Sequence, residues 1–150
     1  MEILIVNDYK EMSEEATKIL LALLKRKPNC VLGLATGSTP IELYKNLIKE
    51  FKKKNISFKK VHTVNLDEYV GLNKKNKQSY FYFMNHHLFD QVNILKSNTN
   101  LPNGIAKDLN KECERYTKLV KKLRQDIQVL GLGSDGHIGF NEPGSPFKGH

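Results

Sequence analysis

The stretch CVLGLATGSTPIELYKNLIKEFKK, residues 30–53, decides the architecture. Its first six residues form a compact apolar run, as in a strand buried on both faces. From Pro40 onward Ile41, Leu43, Tyr44, Leu47, Ile48 and Phe51 recur with helical spacing, which predicts an amphipathic helix over Pro40–Lys53. A buried strand feeding a helix is the unit of a parallel sheet, because parallel neighbours need a crossover between them. The same alternation repeats on both sides. Upstream, Glu2–Val6 is short and β-branched, and Asp8–Lys25 carries Met12, Ala16, Ile19, Leu20, Leu23 and Leu24 before Pro28 ends it. Downstream come a strand at Val61–Leu66, an aromatic helix at Gln78–Gln91 and a short edge strand at Thr99–Leu101. An amphipathic helix at Asp108–Arg124 follows, with Leu109, Cys113, Tyr116, Leu119, Val120 and Leu123 inward, and then a buried strand at Ile127–Leu132. The pattern predicts one α/β domain over residues 1–150: a three-layer α/β/α arrangement around a mainly parallel, Rossmann-like open sheet.

Composition narrows the function. The 150 residues hold 24 Lys+Arg against 16 Asp+Glu, a formal charge of +8. Only Arg26, Arg115 and Arg124 are arginine, whereas phosphate and base-edge readout favours the forked guanidinium, and the lysines scatter in small groups. This reads as solvated surface that also draws in small anions, with no nucleic-acid partner. The apolar runs Ile19–Leu24 and Val31–Ala35 fall short of the ~20 residues of a membrane span, and no signal-peptide core follows the N-terminus. Cys30 and Cys113 lie far apart with no metal-ligand spacing. A cytoplasmic protein without a membrane partner is expected.

Open parallel sheets bind ligands at the carboxyl ends of their strands, so the loops after Ala35, Leu66 and Leu132 are the places to search. The first is Thr36-Gly37-Ser38-Thr39-Pro40. Thr39 suits an N-cap, Pro40 the first helical position, and Glu42 completes a capping box. The segment reads either as a cradle whose N–H groups wrap a phosphate at a helix N-terminus or as an ordinary well-capped connection. It lacks the G-K-[ST] ending of a nucleotide P-loop. The second loop sets Asp67 beside Glu68 at a strand terminus. Neighbouring side chains face opposite ways, so one would look into a cleft while the other caps or pairs outside it, and the pair alone reads first as solvated surface. The third runs from Gly131 through Gly133, Ser134, Asp135, Gly136, His137 and Gly139 to Glu142. Gly131, Gly133 and Gly136 match a dinucleotide fingerprint, but Gly139, Pro143 and Gly144 interrupt the helix such a fingerprint must open. What remains is an imidazole, His137, with carboxylates Asp135 and Glu142 on either side, which suits proton transfer near neutral pH. His62, His86 and His87 read as structural.

Three motifs, Leu34–Pro40, Asn65–Tyr69 and Asp135–Pro143, taken in this order, resemble the glucosamine-6-phosphate deaminase family. The likeness also takes in Val70–Leu72, Ser79–Met84 and Leu101–Gly104. It implies hydrolytic deamination coupled to aldose–ketose isomerisation, in which glucosamine 6-phosphate and water give fructose 6-phosphate and ammonia in amino-sugar catabolism, without metal or organic cofactor. It assigns Asp67 as the base that moves the C2 proton and His137, supported by Asp135 and Glu142, as the group that opens the sugar ring. Thr36, Gly37, Ser38 and Thr39 would bind the substrate and its phosphate. Family members continue past the Phe140–Pro143 segment, so the chain reads as the N-terminal portion of the family's fold, truncated on the C-terminal side. They range from monomers to hexamers, which leaves a homo-oligomer open. The neighbouring 6-phosphogluconolactonases share the phosphate loop and the Gly131–His137 element, and an inactive fragment is the third reading. Phe140–Pro143 and Asp67-Glu68-Tyr69 favour the deaminase.

Overall fold

A computed structural model describes residues 2–146. Four helices alternate with four short strands: α1 (Tyr9–Arg26), β1 (Val31–Leu34), α2 (Ile41–Lys52), β2 (His62–Asn65), α3 (Tyr80–His87), β3 (Thr99–Asn100), α4 (Leu109–Leu123) and β4 (Ile127–Gln128). The strands form one sheet in the order β3-β2-β1-β4, every pair parallel. Val31 lies opposite His62 and Leu34 opposite Asn65, while Leu32 pairs with Ile127 and Thr63 with Thr99. The α/β expectation holds, and the Thr99–Leu101 edge strand is present as β3.

Around β1 the core forms from apolar residues of three helices. Leu32 and Leu34 of β1 pack with Leu20, Leu23 and Leu24 of α1, Leu43, Tyr44 and Leu47 of α2, and Met84 of α3. Helix starts follow local chemistry. The Asp8 side chain accepts the Glu11 N–H at 2.7 Å, and Asp108 accepts that of Lys111 at 3.0 Å, each satisfying an otherwise orphaned donor.

Five expectations are corrected. The strand expected to be buried over Ile127–Leu132 is the two-residue β4, only partly buried because it lies at the sheet edge, and Leu130 and Leu132 beyond it are exposed. Glu2–Val6 is not a strand: no described strand pairs with it, and Ile3, Leu4 and Ile5 stand exposed. In α1, Met12 and Ile19 are exposed because the covered stripe is narrower than the apolar period. The aromatic helix stops at His87, where Leu88 leaves helical geometry before a short 3₁₀ turn at Phe89–Gln91. Helix α4 buries no residue fully, and Leu109 and Cys113 of its apolar face are exposed.

Candidate active site

The three loops leave the sheet at positions fixed by polar clamps. At the end of β1 the Ala35 carbonyl accepts the buried Tyr44 hydroxyl at 2.5 Å, and the Leu34 carbonyl accepts Asn65 Nδ2 at 3.1 Å. Burial drives the Tyr44 pKa upward, so its phenol stays a donor. At the end of β2 the Tyr116 hydroxyl of α4 lies 2.7 Å from the Asn65 carbonyl and 3.0 Å from that of Asn100, and it accepts the Asn65 N–H at 3.0 Å. These tyrosines occupy positions that the helical periods mark only as apolar. Their hydroxyls hold carbonyls and an amide that the sheet leaves unpaired.

The first loop departs from its capping reading. Pro40, not Thr39, takes the N-cap position of α2, and no side chain of its own caps the helix. Tyr9 does that work from α1: its hydroxyl accepts the Glu42 N–H at 3.1 Å and donates to the Ser38 carbonyl at 3.0 Å. Thr39 is thereby released to line a cleft of about 380 Å³ with Thr36, Gly37 and Ser38.

Asp67 and His137 line the same cleft, together with Tyr80 and Gly139. Half-burial raises the Asp67 pKa, the Phe140 N–H pulls it back in part, and the neighbouring charge of Glu68 raises it further. A carboxylate held this way is a stronger base than a solvated one. His137 Nδ1 sits 2.6 Å from Asp135 Oδ1, and the His137 N–H donates to the same oxygen at 3.2 Å. Those two contacts, the backbone one foremost, hold the Asp135 pKa below its ordinary value. Glu142 joins them: one polar atom from each of Asp135, His137 and Glu142 lies within 4.8 Å of the others. Among the described residues no other group of three potential metal ligands converges, and here Nδ1 is already engaged by Asp135.

Two glycines explain the loop's composition. A Cβ on Gly133 would run into the His137 ring, so the G-x-G spacing makes room for the imidazole. Gly139 has φ +60°, and a Cβ there would sit 3.0 Å from Asp67 Oδ2. The third loop therefore closes directly onto the carboxylate of the second.

The candidates thus divide. Thr36, Gly37, Ser38, Thr39, Asp67 and His137 converge on the cleft, whereas Asp135 and Glu142 stand outside its lining. Tyr80 is not among the residues the sequence marks for the site; the available signal was a tyrosine in the first turn of a helix that follows a strand-end loop.

Residues 8–144 match the family described as glucosamine-6-phosphate isomerases/6-phosphogluconolactonase. The chain belongs to this family. It is 53% identical over 149 residues to the glucosamine-6-phosphate deaminase of Clostridium novyi (strain NT), covering 99% of this chain and 62% of that protein. A solved monomeric glucosamine-6-phosphate deaminase superposes with a TM-score of 0.95 at 46% identity, over 99% of this chain and 62% of the other. A 6-phosphogluconolactonase from Thermotoga maritima shares the fold, with a TM-score of 0.74 at 23% identity over 92% of this chain and 62% of that one. The chain thus spans about three fifths of the length of the relatives it matches. No described helix is long and apolar enough to cross a membrane.

Proposed function

We propose that the cleft carries out the deaminating isomerisation of glucosamine 6-phosphate to fructose 6-phosphate and ammonia. The observation that carries this reading is the convergence, in one cleft, of a hydroxyl-rich loop at a helix N-terminus, a half-buried carboxylate and a carboxylate-supported imidazole.

Each group answers one requirement of the chemistry. The phosphate lies among the N–H groups and hydroxyls of Thr36–Thr39, where the α2 dipole favours negative charge. His137 takes the anomeric hydroxyl proton and delivers one to the ring oxygen, so the ring C–O bond breaks as the C1 carbonyl forms. Asp135 fixes the imidazole's orientation, and the Glu142 carboxylate lies beside the pair. Asp67 then removes the C2 proton of the open aldehyde while O1 gains one, which gives an enolamine. Return of a proton to C1 makes the ketimine, water adds at C2, and the C–N bond breaks with release of ammonia. Atoms balance with one water consumed, and no electron acceptor is required.

Substitution separates the two roles. Asp67→Asn abolishes turnover while the phosphate-anchored sugar still binds, because only the proton-abstracting group is lost. His137→Gln slows the cyclic sugar far more than a ring-opened analogue. Equal slowing of both would remove ring opening from His137, and turnover retained by Asp67→Asn would remove the base from Asp67.

A further inference from the structure

Glu68 is adjacent to the candidate base but faces away from it, toward the start of α3. Its Oε1 accepts the Tyr80 N–H at 2.8 Å and the Tyr69 N–H at 2.9 Å, and Oε2 accepts the Phe81 N–H at 2.8 Å. Ser79 supplies the remaining acceptors of that first turn: its Oγ takes the Tyr82 N–H at 3.1 Å and its carbonyl the Phe83 N–H at 3.0 Å. An ordinary cap serves one helix. Glu68 serves the helix and its own loop at once, which fixes two aromatic rings relative to each other.

Those rings hold the third loop. Tyr69 and Tyr80 pack with centroids 4.8 Å apart, their hydroxyls separated by 3.3 Å. Phe140 rests against both, 5.2 Å from Tyr69 and 5.8 Å from Tyr80. The Phe140 N–H itself bonds the Asp67 carboxylate, and His137 lies three residues upstream. A continuous path therefore runs from Glu68 through the two-ring seat to the loop that carries the imidazole.

We propose that Glu68 is a positioning residue: by fixing the seat for Phe140, it sets the placement of His137 relative to Asp67. The name of the reaction rests on the proposed function, whereas the mechanical link does not. Two groups that act in turn on one sugar must be held to within a fraction of an ångström, and misplacement costs rate more than affinity when the substrate's anchor lies elsewhere. The anchor is Thr36–Thr39. The hydrogen bonds of Glu68 go to the Tyr69, Tyr80 and Phe81 N–H groups and not to that anchor, which the seat meets only through the Tyr80 side chain at Thr36.

The test compares Glu68→Gln, Phe140→Ala, their combination and Ser79→Ala, in the longest form of the protein its gene encodes. Glu68→Gln keeps one acceptor oxygen and sets an NH₂ against a backbone N–H. It is expected to lower kcat roughly 10–100-fold with KM for glucosamine 6-phosphate within about threefold. Phe140→Ala acts on the far end of the same path, so the double variant falls no further than the worse single. Ser79→Ala removes a cap from the same helix without touching the seat and keeps kcat within about threefold. Losses that multiply, or a Ser79→Ala loss equal to that of Glu68→Gln, overturn the proposal. Hydrogen exchange of the amides at 139–141 supplies a readout free of turnover: it accelerates in Glu68→Gln and not in Ser79→Ala, and equal rates in the two overturn the link. Absence of ammonia from the parent protein would refute the functional reading alone, with exchange still deciding the role of Glu68. Should Glu68→Gln fail to fold, Tyr69→Leu removes one wall of the seat, and unchanged exchange in that variant overturns the proposal equally.

Discussion

Asp67 unites two opposing demands. Its folded-state pKa is raised, chiefly by burial, so at neutral pH the fold carries a carboxylate it would rather protonate. The folded chain binds that proton more tightly than the unfolded one, so its contribution to stability declines as pH climbs from the ordinary Asp value through the raised one. Asp67→Asn therefore leaves the melting temperature at pH 7 equal or higher while turnover collapses by on the order of 10²–10⁴-fold. A clear loss of stability would show that the carboxylate supports the fold. Because the base works deprotonated, the acidic limb of the kcat/KM profile lies above the ordinary Asp value, and a limb at or below that value contradicts the assignment. Gly139→Ala tests the same carboxylate from the other side. Its Cβ would stand 3.0 Å from Asp67 Oδ2 at φ +60°, a backbone conformation costing an L-residue about 1–2 kcal/mol. A drop in kcat with little change in KM is expected.

Among the elements, the strand–helix units were legible because continuous apolar runs and 3.6-residue periods survive any tertiary context. Thr99–Asn100, within the expected Thr99–Leu101, forms an edge strand without any such run. Capping was less legible. Thr39 and Glu42 carry a capping-box pattern, yet the donor at Glu42 is satisfied by Tyr9, a residue 33 positions away. Local spacing cannot anticipate a long-range hydroxyl. The two readings predict opposite results. Thr39→Ala should leave stability within about 0.5 kcal/mol of the parent and raise KM for the sugar phosphate. Tyr9→Phe removes a hydroxyl that bridges Ser38 and Glu42 and should cost about 1 kcal/mol. Paired thermal melts decide between them, and a larger loss in Thr39→Ala would restore the capping box. Tyr44, Tyr116 and Tyr80 were legible as apolar positions but not as clamps or cleft wall, because periodicity reports burial and says nothing of where a hydroxyl ends.

For the whole molecule, the +8 charge lies outside the cleft, whose lining contains no Lys or Arg. The composition therefore describes the surface and the three strand-end loops describe the chemistry. The sheet presents β4 at one edge, and Leu130, Leu132, Ile3, Leu4 and Ile5 are exposed. Glu2–Val6 was misread because a β-branched run sets propensity and not pairing, and no described strand takes it as a partner. Ile5 is 90% exposed, so Ile5→Lys should leave stability within about 0.5 kcal/mol. A fall in melting temperature would show that the segment packs. The most direct test incubates the protein, in the longest form its gene encodes, with glucosamine 6-phosphate and follows ammonia and fructose 6-phosphate together. Equal amounts of both products are predicted; no ammonia, with hydrolysis of 6-phosphogluconolactone in its place, would contradict the account.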